Sequence, residues 1–253
     1  MGWISGLIGG SLGAVVAGPI GAIIGAAIGA SMGGGQQLQP GAGGLHQTQQ
    51  RQAIFFTAAF SMFGKLAKAD GRVCPDEIAA IEKISKEALG LDQQTRDYAI
   101  NVFNQAKNSP EPFANFAAQF GNFFSHDQQL CSLMMSILFQ VAMADGEMHP
   151  QEENMLFEAK TAFRLPESIY QSLRSRFVGQ HSSSVSMAKH YENLGVTQQA
   201  TTAEIRKAYR QKAAEYHPDK IEGKGLPPEF IKFANDRLAE INESYAVVMS
   251  SRK

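Results

Sequence analysis

The chain has 253 residues, of which 44% are hydrophobic, and its formal net charge at pH 7 is −1. This length allows one or two small folded domains together with flexible appendages. The balanced charge argues against a nucleic-acid-binding protein, because such proteins usually carry a clear excess of lysine and arginine. The two cysteines, Cys74 and Cys131, do not form the closely spaced pairs of a zinc ribbon, and a disulfide framework needs more of them. A reducing compartment is therefore the simpler expectation.

The N-terminal region is apolar and uncharged. The first charged side chain of the sequence is Arg51, and the run from Trp3 to Met32 contains no ionisable side chain. The hydrocarbon core of a bilayer requires about 20 apolar residues in a helix, so this run is long enough to span it. Residues 1–32 are therefore predicted to form a transmembrane segment in contact with the lipid bilayer.

Small residues recur at every fourth position of this segment: Gly9, Gly13, Ala17, Gly21, Gly25, Gly29 and Gly33. On a helix, this spacing places them along one side, where bare backbone allows a second helix to approach closely. The pattern predicts a homodimer in the membrane, with Gly21, Gly25 and Gly29 at the contact. The isoleucine, leucine and valine side chains of the segment are predicted to face lipid.

Two alternatives stay open for the apolar segment. A cleaved signal peptide would require a basic region before Trp3, and the sequence has none there. The Gly18-Pro19 step can interrupt the helix, because proline breaks the helical hydrogen-bond ladder, and the segment would then form a hairpin that does not cross. For a single crossing, the basic residues from Arg51 onward place the C-terminal bulk in the cytoplasm and the N-terminus outside.

The middle of the chain has the periodicity of helices. Residues 33–50 are rich in glycine and glutamine and are predicted to be a flexible linker. Between residues 51 and 178, apolar side chains recur at intervals of three and four, as in Phe56, Phe60, Phe63 and Ala67, or Leu130, Met134, Ile137 and Val141. Phenylalanines mark a further helix near residues 113–124. The region is predicted to be an all-α bundle of about six or seven helices.

This middle region contains an internal repeat, in which residues 67–77 match residues 142–152. Gly71 and Gly146 are predicted to end a helix in the left-handed conformation. Pro75 and Pro150 suit the first position of the following helix. The acidic residues of the two corners are thus predicted to have turn and capping roles, with metal binding between the corners as the alternative: Asp70, Glu77, Asp145 and Glu152. The corners resemble the TerB-like helical domain.

The C-terminal residues 188–253 follow a polar linker at residues 179–187. They contain a Tyr-x-x-Leu-Gly-Val sequence from Tyr191, a basic amphipathic helix, a His-Pro-Asp tripeptide from His217, and a final amphipathic helix. The basic amphipathic helix carries four basic side chains and only two acidic ones. The four basic residues are Arg206, Lys207, Arg210 and Lys212. Such a basic face favours rapid association with an acidic partner.

This combination resembles a J domain. The resemblance implies docking on a DnaK-type heat-shock chaperone and stimulation of its ATP hydrolysis, with no cofactor and no active site in this chain. The implied chaperone-binding residues are His217, Pro218, Asp219, Lys220, Arg206, Lys207, Arg210 and Lys212. A hydrolytic enzyme is disfavoured, because no nucleophile motif, metal cluster or carboxylate pair accompanies the histidines.

The order of apolar segment, TerB-like region and J domain resembles the bacterial DjlA family. Residues 220–230, which follow the His-Pro-Asp tripeptide, add to this resemblance. It implies an all-α, single-pass protein of the bacterial inner membrane with cytoplasmic C-terminal domains. The alternative function is that of a metal- or stress-sensing TerB-like protein, in which the J domain is the output.

Overall fold

The computed structural model describes residues 16–31, 47–69, 85–86, 89–178, 187–217, 220–221 and 224–252. These ranges contain ten α-helices and no strand: α1 Pro19–Ser31, α2 Gln47–Leu66, α3 Gln93–Asn108, α4 Phe113–Phe124, α5 Gln128–Ala142, α6 Pro150–Ala162, α7 Glu167–Val178, α8 Met187–Leu194, α9 Thr202–Glu215 and α10 Pro228–Ser250. The all-α prediction is confirmed for this part of the chain.

Helix α2 lies at the centre of the middle region and packs against α3, α4 and α5. From Ala53 to Leu66 its side chains are buried, with the single exception of Lys65. A helix that is apolar on all sides belongs inside a protein, and this sequence has that character. The approach of α3 is close, because a Cβ atom at Gly64 would lie 2.5 Å from the carbonyl oxygen of Phe103.

An aromatic cluster fills the space between α2 and α4. The ring of Phe55 meets Phe120 and Phe124 edge to face, at centroid distances of 5.5 and 5.7 Å. Edge-to-face pairs of this kind stabilise a core beyond the apolar area that they bury. The phenylalanine-rich sequence near residues 113–124 thus forms the predicted helix and directs its aromatic face toward the centre of the domain.

The second copy of the repeat has the predicted corner geometry. Gly146 has a φ of 95°, in the left-handed region, and Pro150 is the first residue of α6. A carboxylate oxygen of Glu152 accepts the backbone N–H of His149 at 3.1 Å, and Asp145 accepts the backbone N–H of Glu147 at 3.0 Å. Both carboxylates therefore have turn and capping roles here.

Residues 70–77 of the first copy of the repeat, with Asp70 and Glu77, lie outside the described residues. Within the described part of the chain, no group of three or more histidine, cysteine, aspartate or glutamate side chains is arranged to hold a metal ion.

Helix α1, from the predicted transmembrane segment, packs on the middle domain against α2, α3 and α4. Ile20, Ile24 and Ala27 are fully buried in this contact. The side chain of Gln119 binds both backbone groups at the start of α1: its oxygen accepts the N–H of Ile20 at 2.8 Å, and its nitrogen donates to the carbonyl oxygen of Ala17 at 2.5 Å. Isoleucines that were predicted to face lipid thus face protein in this structure.

The helix of this segment begins at Pro19, directly after Gly18, which has a φ of 95°. The hairpin alternative places the interruption of the helix at this Gly18-Pro19 step. Among the described residues, no helix has the length and apolarity needed to cross a membrane. Gly21 is closely packed, since a Cβ atom there would lie 1.5 Å from the carbonyl oxygen of Val16. Around Gly25, in contrast, there is open space for at least 4 Å.

In the C-terminal region, α8 and α9 pack against the long helix α10. Its core side chains come from all three helices: Tyr191, Leu194, Ile205, Tyr216, Phe233, Ile241 and Val248. The guanidinium group of Arg252 binds the connection between α8 and α9 by donating to the carbonyl oxygens of Ala200 and Gln198, each at 2.6 Å. These contacts fix the connection that leads into α9.

Candidate functional site

Helix α9 begins with a reciprocal capping arrangement. The hydroxyl of Thr201 accepts the backbone N–H of Glu204 at 3.3 Å, while the Glu204 carboxylate accepts the backbone N–H of Thr201 at 2.7 Å. Such a capping box satisfies donors that the first turn of a helix leaves unpaired. The hydrogen bond from the Thr201 backbone also lowers the pKa of Glu204. The helix therefore starts at a defined residue, which fixes the direction of every side chain that follows.

The basic side of α9 is directed toward solvent. Arg206, Lys207 and Arg210 are all exposed, whereas Ile205 on the other side of the helix is fully buried. Arg206 and Arg210 are four residues apart and therefore lie one turn above the other. The structure thus places three of the four predicted basic residues together on one accessible surface.

His217 directly follows the end of α9. The helix ends at Glu215, Tyr216 forms its C-cap, and His217 is exposed. The backbone N–H of Lys220, which is also exposed, donates to the carbonyl oxygen of His217 at 3.0 Å. Pro218 and Asp219, the other two predicted residues of the tripeptide, lie outside the described residues.

Lys212 differs from the other basic residues of α9, because it is only 9% exposed. Its ammonium group donates to the hydroxyl of Ser172 in α7 at 3.2 Å. Burial lowers the pKa of Lys212 to about 8. The spacing explains its position: Lys212 follows Ile205 by seven residues and precedes Tyr216 by four, so it lies on the buried stripe of the helix.

A buried arginine joins the middle domain to the C-terminal region, and no pattern in the sequence indicates this contact. Arg176 in α7 is 1% exposed, and its guanidinium donates to the Glu240 carboxylate in α10 at 3.1 Å. Arg237 donates to the same oxygen at 2.8 Å. Burial is the main cause that lowers the pKa of Arg176. Because the partners are 64 residues apart, local periodicity cannot reveal the contact.

Comparison with known proteins agrees with this division of the chain. The family profile described as "Tellurite resistance protein TerB" matches residues 56–175, and the profile described as "DnaJ domain" matches residues 189–253. The exposed basic helix and the histidine at its end therefore lie in a J domain. The fold and the site define a J-domain co-chaperone that also carries a TerB-like helical domain.

Three relatives illustrate the similarity, and each is named "Co-chaperone protein DjlA". The protein of Coxiella burnetii is 32% identical, over 86% of this chain and 84% of its own length. Those of Aliivibrio fischeri and Shewanella oneidensis are 31% and 30% identical, over 83% and 85% of this chain and 82% and 86% of their own lengths. The chain belongs to the DjlA family of co-chaperones. No solved structure matches it.

Family membership favours a regulator of a partner protein over an enzyme, and a co-chaperone over a metal- or stress-sensing protein. The same comparisons agree with a TerB-like fold for the middle helices, in accordance with the resemblance of the repeated corner.

The lowered pKa of Lys212 predicts a pH-dependent stability. The folded protein releases this proton near pH 8, whereas an unfolded lysine keeps it to about pH 10.4, so the contribution of Lys212 to stability rises with pH between these values. We expect Lys212→Met to be more stable than the wild type at pH 7, by up to about 3 kcal/mol, because it removes a buried charge. The difference should shrink as pH rises toward 10.5 in urea unfolding experiments.

The matched control is Lys207→Met, which removes an exposed lysine from the same helix and should change stability by no more than about 0.5 kcal/mol. A stability difference between Lys212→Met and the wild type that is equal at pH 7 and pH 10.5 would contradict the burial of a charged Lys212.

Proposed function

We propose that the protein docks through its J domain on a DnaK-type heat-shock chaperone and stimulates the ATP hydrolysis of that chaperone. The observation that carries the proposal is the exposure of His217 directly after α9, together with the exposure of Arg206 and Arg210 on that helix. The match of residues 189–253 to the DnaJ domain and the co-chaperone relatives support it. ATP binding and cleavage occur in the partner, so this chain needs no cofactor.

The basic residues and the tripeptide have different roles in this mechanism. Arg206, Lys207 and Arg210 attract an acidic surface of the chaperone and orient the J domain during encounter. Pro218 disfavours helical backbone at His217, so the helix ends before the tripeptide. His217 and Asp219 then contact the docked chaperone, where Asp219 pairs with a cation of the partner. Lys220 adds charge at the edge of the contact.

A substitution at His217 tests this function. His217→Gln should leave the fold intact, because His217 is exposed and lies outside the helix. We expect stimulation of the chaperone ATPase by the full chain to be lost, while the melting temperature stays within about 2 °C of the wild type. Stimulation by His217→Gln equal to that of the wild type, at the same concentrations, would disprove the co-chaperone mechanism.

A charge reversal on α9 is the companion variant. Arg206→Glu/Arg210→Glu should raise the concentration needed for half-maximal stimulation, and more strongly at low salt, because salt screens exposed charges. The maximal rate should change little.

We propose further that residues 1–32 attach the protein to the bacterial inner membrane, with the TerB-like domain and the J domain in the cytoplasm. The uncharged run from Trp3 to Met32 supports this. In a membrane-inserted state Ile20 and Ile24 exchange their contacts with the middle domain for contacts with lipid, since one side chain cannot occupy both environments.

We also propose that this segment forms a homodimer through Gly21, Gly25 and Gly29. The open space around Gly25 supports the proposal, because a second helix can approach there without displacing a side chain of the same chain. The buried isoleucines lie on a different side of α1.

Gly25→Ile tests the dimer at a position where an added Cβ atom meets nothing within 4 Å in the same chain. We expect the protein to stay in the membrane fraction, because isoleucine is more apolar than glycine, and the fraction cross-linked as dimer to fall by at least half. Ala26→Ile, at an exposed neighbouring position, is the control and should cross-link like the wild type. Equal cross-linking of Gly25→Ile and the wild type would exclude Gly25 from the contact.

A further inference from the structure

The segment that contains His217 is held at both ends by one side chain of the TerB-like domain. Gln129, in the first turn of α5, donates from its amide nitrogen to the carbonyl oxygen of Ala214 at 3.1 Å. Its amide oxygen accepts from the ammonium group of Lys224 at 2.5 Å. Ala214 precedes His217 by three residues and Lys224 follows it by seven. A single amide group therefore connects the two legs of the loop, which are residues 214–216 before His217 and residues 224–226 after it.

The chemistry of the two partners determines the orientation of this amide. A carbonyl oxygen can only accept and an ammonium group can only donate, so the nitrogen of Gln129 must face Ala214 and its oxygen must face Lys224. Gln129 is half-buried, and both ends of its amide are used by the J domain. Its side chain therefore serves the contact between the domains.

Three further contacts fix the second leg of the loop on the TerB-like domain. The ammonium group of Lys224 also donates to the Asp127 carboxylate at 2.5 Å. Its backbone carbonyl oxygen accepts from Arg51 at 3.2 Å. Leu226, which is buried, accepts at its carbonyl oxygen from the side chain of Gln52 at 3.1 Å. Backbone and side chain of the leg are thus both held by α2 and α5.

A loop that is held in one position before binding loses less conformational entropy when it binds. Each residue that must become ordered on binding costs about 1–2 kcal/mol of conformational entropy, and a loop that is already ordered avoids part of this cost. Since the tripeptide lies between the two legs, contacts that fix the legs reduce the range of positions of His217 before the chaperone arrives.

We propose that Gln129 is a positioning residue for the chaperone contact: by joining Ala214 to Lys224 it limits the positions that His217 can take before docking. This inference rests on the proposed co-chaperone function. It makes the TerB-like domain a direct contributor to the activity of the J domain. Gln129 gives a cleaner test than Asp127, because Asp127 also caps α5 by accepting the backbone N–H of Leu130.

The test compares Gln129→Leu with Gln128→Leu in the full chain. Leucine has a volume similar to that of glutamine but makes no side-chain hydrogen bond. Gln129→Leu therefore loses the hydrogen bonds to both Ala214 and Lys224. Gln128 is the matched control, since within the described part of the chain its side chain bonds to Ser125 and Arg164, both in the TerB-like domain. Gln129→Glu is the conservative variant, which keeps an acceptor for Lys224 but loses the donor to Ala214.

We expect Gln129→Leu to raise the concentration for half-maximal ATPase stimulation about tenfold, as the loss of two hydrogen bonds implies, with the maximal rate unchanged. Gln129→Glu should be intermediate, and Gln128→Leu should match the wild type. Amide hydrogen exchange at residues 214–226 should accelerate in Gln129→Leu and stay unchanged in the centre of α5.

The outcomes separate the two proposals. If His217→Gln abolishes stimulation and Gln129→Leu keeps the half-maximal concentration of the wild type, the positioning role is wrong and the co-chaperone function stands. If Gln129→Leu lowers that concentration, the contact restrains the loop, which also overturns the inference. If His217→Gln stimulates like the wild type, the proposed function itself fails.

Discussion

The insertion of Phe230 into the aromatic cluster of the TerB-like domain is the interaction on which the arrangement of the two domains depends. Phe230 lies in the first turn of α10 and is fully buried, with its ring centroid 5.0 Å from that of Phe55 and 6.0 Å from that of Phe56. Burial of one such side chain contributes roughly 1.5–3 kcal/mol. Because α8 and α9 both pack on α10, fixing the start of α10 also fixes the basic helix and the loop that follows it.

Polar contacts determine the orientation that this apolar contact allows. Two ion pairs between described residues of the interface, Arg176 with Glu240 and Lys224 with Asp127, lie on different parts of the J domain and prevent its rotation about Phe230. A buried charge such as Arg176 is costly when its partner is missing, so a displaced J domain is disfavoured. The basic residues of α9 divide accordingly, since Lys212 faces the TerB-like domain and Arg206 and Arg210 face solvent.

The sequence predicts those features that depend on near neighbours. Helical spacing of apolar residues predicts α2, α4 and α5, and the glycine and proline of the second corner predict the turn at Gly146 and Pro150. The burial of Lys212 also follows from the sequence, because Lys212 comes seven residues after Ile205 and therefore lies on the apolar stripe of α9. The contacts of Gln129 and Arg176 join residues 64 or more positions apart, and no local pattern marks them. Ile20 is a case that its sequence pattern leaves open. An apolar side chain suits lipid and a protein interior equally, so the packing of α1 depends on the partner that it meets.

The TerB-like domain and the J domain share one core around Phe230, and native-state hydrogen exchange of the full chain measures this coupling. The most protected amides of α2 and α10 should open with the same free energy in the wild type. In Phe230→Ala the α10 amides should open at a lower free energy than those of α2, since the shared contact is lost. Opening of α10 independently of α2 in the wild type, unchanged by Phe230→Ala, would show that the two domains have separate cores.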